Sequence, residues 1–435
     1  VISHTRKEEN LGLTELVRSF PIGRQANSLA IMIETILINF LLALLISGAL
    51  FSFGAETISA EGSLLFGASI GVAGMIGAGM ALVLAQLMPT SSSATGSTLG
   101  IIGLLYIMRA GTDISHVELS MFNPIGWIYL TYPFTDNNWT PLIFALVFLV
   151  IAVIIAFALE GSRDIGAGYL PERAGREYAK PSLLSVRGLF FRLNKGVILG
   201  WMVAFIFIGA SYGAIYGDMH VFIESNELMK QMFTHAGFSI EESFTGTIMM
   251  VMICLVSILP ILIINKLFTE ERRLHFSQLF STKVTRGQLY WNCIGLAIFT
   301  SLVGIILAAS SLGGTAMATL GDYSAMDFGD FLAAGFNYFP SVLFITSLAA
   351  LALGWLPRWG KAVYVYLGYS FSVNYFGAML DIHEVISNIA ILSWIPRMPV
   401  EEFSFFTFVS LTVISIIIMV IGYLGYIKRD MLEGA

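Results

Sequence analysis

Few residues in this chain have the types and spacing to do chemistry. Gly67-Ala68-Ser69-Ile70-Gly71 fits the Gly-x-Ser-x-Gly pattern that presents a serine nucleophile. A nucleophilic serine needs a base. The six histidines (His4, His116, His220, His235, His275 and His383) lie in loops or at the edges of apolar runs, none of them mid-run and none with metal-ligand spacing. Gly67, Gly71, Gly74, Gly77 and Gly79 instead make a small-residue stripe suited to close helix packing. Gly354 to Lys361 approaches a phosphate-binding loop, but it has one residue too many and Ala362 where a hydroxyl should ligate magnesium. Glu34 is a different case, a lone carboxylate inside a long apolar run with Asn39 a little beyond it. An ionisable group at membrane depth is a functional candidate by default. It could line a path for cargo, carry a proton, pair with a polar neighbour or sit near the interface.

The elements that must hold these residues follow from composition. Hydrophobic residues make up 56% of the 435, charged residues only 12%, and the mean hydropathy is +0.80. That excludes a soluble globular class and defines a polytopic membrane protein. Apolar runs able to cross a bilayer fall at 28–51, 63–87, 99–109, 142–159, 197–216, 247–264, 289–309, 331–356, 362–380 and 405–426, ten in all, of which the third is short unless it begins near Ser93. Pro260 and Pro340 are expected to kink their spans. Alternating the loops between sides puts 20 of the 23 Lys and Arg residues on one side, which is therefore cytoplasmic. Cys254 and Cys293 lie inside spans, so no structural disulfide is expected. No nucleic-acid partner is expected either.

Two charged segments on the basic side read as copies of one another. Thr5 to Leu16 and Thr269 to Leu279 align at an offset of 263 or 264, and offset 263 pairs Glu8 with Glu271, Leu11 with Leu274 and Leu16 with Leu279. Apolar residues in both fall at helical spacing, and Thr5 with Glu8 fits a capping box. The match continues: Trp127 pairs with Trp394 at offset 267, and Arg163-Asp164 with Arg429-Asp430 at offset 266. The chain therefore reads as two parallel halves. The outer loops 113–140 and 381–402 carry the paired tryptophans and are expected to lie at the outer interface. The second half has two extra spans ahead of its charged segment, so symmetry predicts about 80 residues and two spans before Val1, with twelve spans in the intact protein and six per half. The halves divide as 1–159, an N-terminally incomplete first half; 160–195, a cytoplasmic linker and interfacial elbow helix; and 196–435, the second half.

Short amphipathic helices between spans are parts that another protein can push on. Thr5, Arg6, Glu8, Glu9, Glu15 and Leu16, with Glu270, Glu271, Arg272, Arg273 and Leu279, are the candidate contacts. His4, Thr5, Arg6, Glu8, Glu9, Gly12, Glu15 and Leu16, followed by Arg24 before a span, resemble the permeases of ABC-2 type exporters, most closely the double-length branch of polyketide-antibiotic or tetronasin-resistance exporters. His275 and Gln278 replace the second-copy equivalents of Gly12 and Glu15, which leaves open whether the two helices couple equally. The resemblance implies an all-α exporter fold, multi-pass in a bacterial plasma membrane. It implies a homodimeric ABC ATPase partner that binds ATP and Mg, with no cofactor, metal or catalytic residue in this chain, and a hydrophobic small-molecule or lipid cargo. Two rivals remain: an ion-coupled secondary transporter using Glu34, and a membrane sensor that partners an ATPase without moving cargo.

Overall fold

In a bilayer every backbone N–H and C=O must be satisfied within the protein, so apolar runs of this length fold as helices. The computed structural model describes residues 1–435 except 56, 116, 172–174, 176, 219–238, 322–325, 381–382 and 431–435, and the described residues carry helices and no strand. His116, His220 and His235 lie outside the described residues. The chain divides into two compact units, Val1–Arg176 and Glu177–Ala435.

The first unit starts with two short helices, α1 (Arg6–Asn10) and α2 (Leu13–Arg18), turned about Gly12 at φ +75°. Long helices α3 (Ala26–Ser52), α4 (Ala60–Leu87) and α5 (Ser91–Ser115) follow, then the short α6 (Gly126–Tyr129) and the long α7 (Thr140–Ser162). Gly67, Gly71 and Gly74 of the glycine stripe form the contact between α3 and α4, while Gly79 faces Leu149 and Ala152 of α7. A Cβ on Gly67 would stand 2.4 Å from the Ala43 carbonyl, and one on Gly74 would stand 1.8 Å from Asn39 Oδ1. Ser69, the would-be nucleophile, is buried and bonds the Leu65 carbonyl at 2.8 Å and Thr131 at 3.1 Å. Its motif is packing.

The second unit contains α8 (Val186–Ala214), α9 (Ile240–Arg272), α10 (Phe276–Phe280), α11 (Arg286–Leu320), α12 (Phe328–Asn337), α13 (Phe339–Trp355), α14 (Ala362–Leu380), α15 (Glu384–Ile389) and α16 (Phe405–Lys428). Helix α9 runs through the middle of its core: Met249, Ile253, Val256, Leu259 and Ile263 are fully enclosed by its neighbours. Ser239 and Glu242 close a reciprocal capping box at its start. Pro340 lies in the first turn of α13, so the kink there is a break between α12 and α13, where Asn337 Nδ2 donates to the Pro396 carbonyl at 2.7 Å.

Among the described residues, eight helical stretches are long and apolar enough to cross a membrane. The runs at 99–109 and 362–380 are also helical, as α5 and α14. They fall outside the eight because Ser and Thr crowd the start of α5, while Tyr, Ser and Asn interrupt α14. Helix α5 begins at Ser91, close to where the short run needed it to begin.

Three expectations are corrected. The elbow helix expected within 160–195 is not separate from the span that follows it. A 3-10 turn at Pro181–Leu184 leads into α8, which runs unbroken from Val186 to Ala214 because Ser185 caps it, accepting from the Gly188 N–H, and nothing between Lys195 and Val197 stops a helix. The Thr5–Glu8 capping box is also absent: Thr5 donates backward to the Val1 carbonyl at 3.0 Å, and Glu8 pairs with His4. The third is the register of the two charged segments, which their ion pairs reset.

Candidate functional site

In the first unit the end that carries the charged turn is built around Glu9. Arg163, just past α7, meets both oxygens of Glu9 with Nη1 and Nη2 at 2.7 Å each, and the Gly166 N–H adds a third bond at 2.7 Å. Arg6 donates to Glu9 at 3.0 Å from the other side. Arg6 itself is fully buried, with its guanidinium donating to the carbonyls of Pro89, Gly166 and Ala167. Burial pushes the Glu9 carboxyl up, but the hydrogen bonds from Arg163 and Gly166 and the charges of Arg163 and Arg6 outweigh it, leaving the group below its ordinary value. Arg24, ahead of α3, donates to the Arg163 carbonyl.

The second unit repeats this chemistry. Arg429, just past α16, meets both oxygens of Glu271 with Nη1 and Nη2 at 2.6 Å each. Arg286, at the start of α11, donates to the Arg429 carbonyl at 2.8 Å. The two bidentate pairs match Glu9 with Glu271 and Arg24 with Arg286, an offset of 262. The backbone agrees: the left-handed residue after the charged turn is Gly12 in one unit and Leu274, at φ +59°, in the other. So does the flanking i,i+4 pair, His4–Glu8 in one and Lys266–Glu270 in the other. The register is one residue off the sequence alignment, which paired Glu8 with Glu271. At the opposite ends the tryptophans also correspond, each indole donating to the carbonyl six residues back: Trp127 to Met121 at 2.6 Å and Trp394 to Asn388 at 2.8 Å.

The candidate contact residues therefore fall into two groups. Thr5, Arg6, Glu270 and Glu271 are buried, and the Glu9 side chain is only 8% exposed. Glu15, Leu16, Arg272 and Arg273 are exposed, while Glu8 and Leu279 are half-buried. The first group holds the charged turns in place and the second presents a surface. Leu11, Leu13, Leu16, Val17 and Phe20 make that surface apolar in the first unit, whereas Phe276 of α10 is buried. Glu34 stands on an exposed face of α3. Asn39 is turned into the α3–α4 contact at Gly74 and donates to the Thr35 carbonyl at 2.8 Å. The structure does not bring these two together with the charged turns. Sequence reasoning missed the roles of Arg163 and Arg429. The signal was available, since an Arg-Asp pair ends a span in both halves.

These features define a polytopic helical membrane protein whose charged turn, in each unit, is locked by an arginine to the C-terminal end of a long helix. Residues 183–426 match the family model described as multidrug efflux system permease Rv1217c, C-terminal domain, and the chain belongs to that family. It is 25% identical over 408 residues to the multidrug efflux system permease protein Rv1217c of Mycobacterium tuberculosis (strain ATCC 25618 / H37Rv), covering 93% of this chain and 73% of that relative.

Proposed function

We propose that this chain is the transmembrane permease subunit of an ATP-driven exporter that moves hydrophobic or amphipathic compounds, drugs or lipid-like molecules, out across the plasma membrane. The observation that carries the reading is the recurrence of one carboxylate–arginine lock at Glu9–Arg163 and Glu271–Arg429. A loop with no mechanical task has no need of two buried ion pairs tying it to a distant helix end. A paired cytosolic ABC ATPase, binding ATP and Mg, would press on the exposed residues Glu8, Glu15 and Leu16 and on Arg272 and Arg273. The buried residues Arg6, Glu9, Glu270 and Glu271 would carry that push into the spans. The relative's description as a multidrug efflux permease supports a drug cargo. In the finer reading all ten apolar runs span, in two parallel repeats of the ABC-2 type with linker, charged turns and C-terminus cytoplasmic. The motif from His4 to Arg24 supports the double-length branch.

Proteoliposomes holding the chain and its ATPase test this reading. They should accumulate a fluorescent hydrophobic drug on ATP with the proton gradient collapsed, and Glu34→Gln should keep most of that activity, because Glu34 is exposed on α3 rather than set in a polar cluster. Transport that continues without the ATPase and stops with an ionophore would replace it with an ion-coupled carrier.

A further inference from the structure

At the inner end of the second unit a cavity of about 680 Å³ is lined by Asn265, Phe268, Thr269, Arg272, Arg273, Pro357, Arg358 and Lys361. Four of these are cations, and among the described residues no carboxylate lines it. The two acids of the adjacent turn are committed elsewhere: Glu270 to Lys266 at 3.0 Å and His275 at 2.6 Å, and Glu271 to Arg429. Arg273, Arg358 and Lys361 alone, leaving Arg272 aside, bring three positive charges into one concavity of a chain of net charge −6, and these call for an anion.

The first unit shows what this space is when nothing is meant to enter. At the offset of 262, Phe268 takes the place of Arg6, while Arg272 and Arg273 take those of Asn10 and Leu11. On the far wall the helix ends α4 and α13 correspond, so Pro357 stands where Pro89 does and Arg358 and Lys361 where Thr90 and Ser93 do. Arg6 fills its space and is satisfied there by Pro89, Gly166 and Ala167. In the second unit that filling side chain has withdrawn to a phenylalanine and the rim has gained cations.

The source of the anion is set by the rim. Trp355, Leu356 and Trp359 are all exposed beside Arg358, at the end of span α13. Exposed tryptophans at a span end belong at the headgroup level of a bilayer, and basic pockets between helices on the inner side suit lipid phosphates. We propose that this cavity binds the phosphodiester headgroup of an anionic phospholipid from the inner leaflet. The inference needs the chain to span a membrane and does not need an ATPase.

The test uses the full purified chain in neutral detergent, with phosphatidylglycerol or phosphatidylcholine added and bound lipid counted by native mass spectrometry. Phosphatidylglycerol should bind more tightly than phosphatidylcholine. Each cation removed should weaken it about fivefold, so Arg273→Gln/Arg358→Gln/Lys361→Gln together should lose on the order of 100-fold. Arg273→Lys/Arg358→Lys should stay within about fivefold of the parent, and this charge-keeping variant guards against a folding artefact. Arg192→Gln, on the exposed face of α8, should change nothing. Equal binding of the two lipids, undiminished binding by the triple variant, or displacement of the lipid by an equal concentration of inorganic phosphate would each overturn the proposal.

Discussion

The Glu271–Arg429 pair offers the sharpest test of how the charged turn is held. Its carboxylate side chain is 2% exposed and its guanidinium 14%, with two bonds of 2.6 Å between them. Arg429 also lies 5.0 Å from the ring of Tyr426, so its position is fixed from a second direction. Glu271→Gln keeps the shape but faces an NH2 to one guanidinium nitrogen and leaves the charge unpaired. Breaking a buried pair from one side costs about 3–5 kcal/mol, and Arg429→Met should cost a similar amount. Replacing both, as Glu271→Gln/Arg429→Met, removes the unpaired charge and should cost far less than the two single changes together, giving a coupling of about 3 kcal/mol or more. The His4–Glu8 pair, with side chains 67% and 32% exposed, is the internal control and should show less than about 1 kcal/mol. Unfolding of the purified chain by added SDS, followed by circular dichroism, reads all of these. A coupling below about 0.5 kcal/mol, no larger than an exposed pair gives, would refute the lock and with it the idea that the turn moves as one piece with α16.

Two further outcomes are expected. Because Glu9 titrates below its unfolded value of about 4.3, its contribution is complete above that pH and is lost as pH falls through the lower folded value, so acid unfolding of the parent below about pH 4 should be steeper than that of Glu9→Gln. Gly354→Ala should part α13 from α16, since the added Cβ would stand 2.0 Å from the Gly422 carbonyl oxygen; a loss at or above the usual overpacking range of about 1–3 kcal/mol is expected, whereas Gly295→Ala, with nothing within 4 Å, should be harmless.

Much of this molecule was legible in the sequence, for a physical reason: apolar length and basic loops report directly on a bilayer. The glycine stripe around Ser69 read as packing, and it is packing. The structure also gathers Glu9, Arg163 and Gly166 at one end of α7 and pairs Glu61 with Trp139 at the other. What could not be read was direction. Adjacent glutamates on a helix point about 100° apart, so Glu8 and Glu9 are equivalent to an alignment while only one faces Arg163, 154 positions away. The same ambiguity slipped the repeat register by one residue. Local rules erred where distant partners competed, as at Thr5, where the hydroxyl turned back to Val1 instead of capping α1.

Helix α9 has 33 residues, which at 1.5 Å per residue makes a rod of about 50 Å. A hydrocarbon layer is about 30 Å thick, so this rod overreaches it, with the capping box of Ser239 and Glu242 at one end and the Glu270–Glu271 turn at the other. Its only internal proline, Pro260, deprives the buried Val256 carbonyl of its helical donor near the midpoint. Such a strut transmits thrust along its axis and yields sideways at one place. A displacement of the charged turn at one end would therefore reach the capped end, with any bend falling near Pro260, among the fully enclosed side chains of the second unit's core.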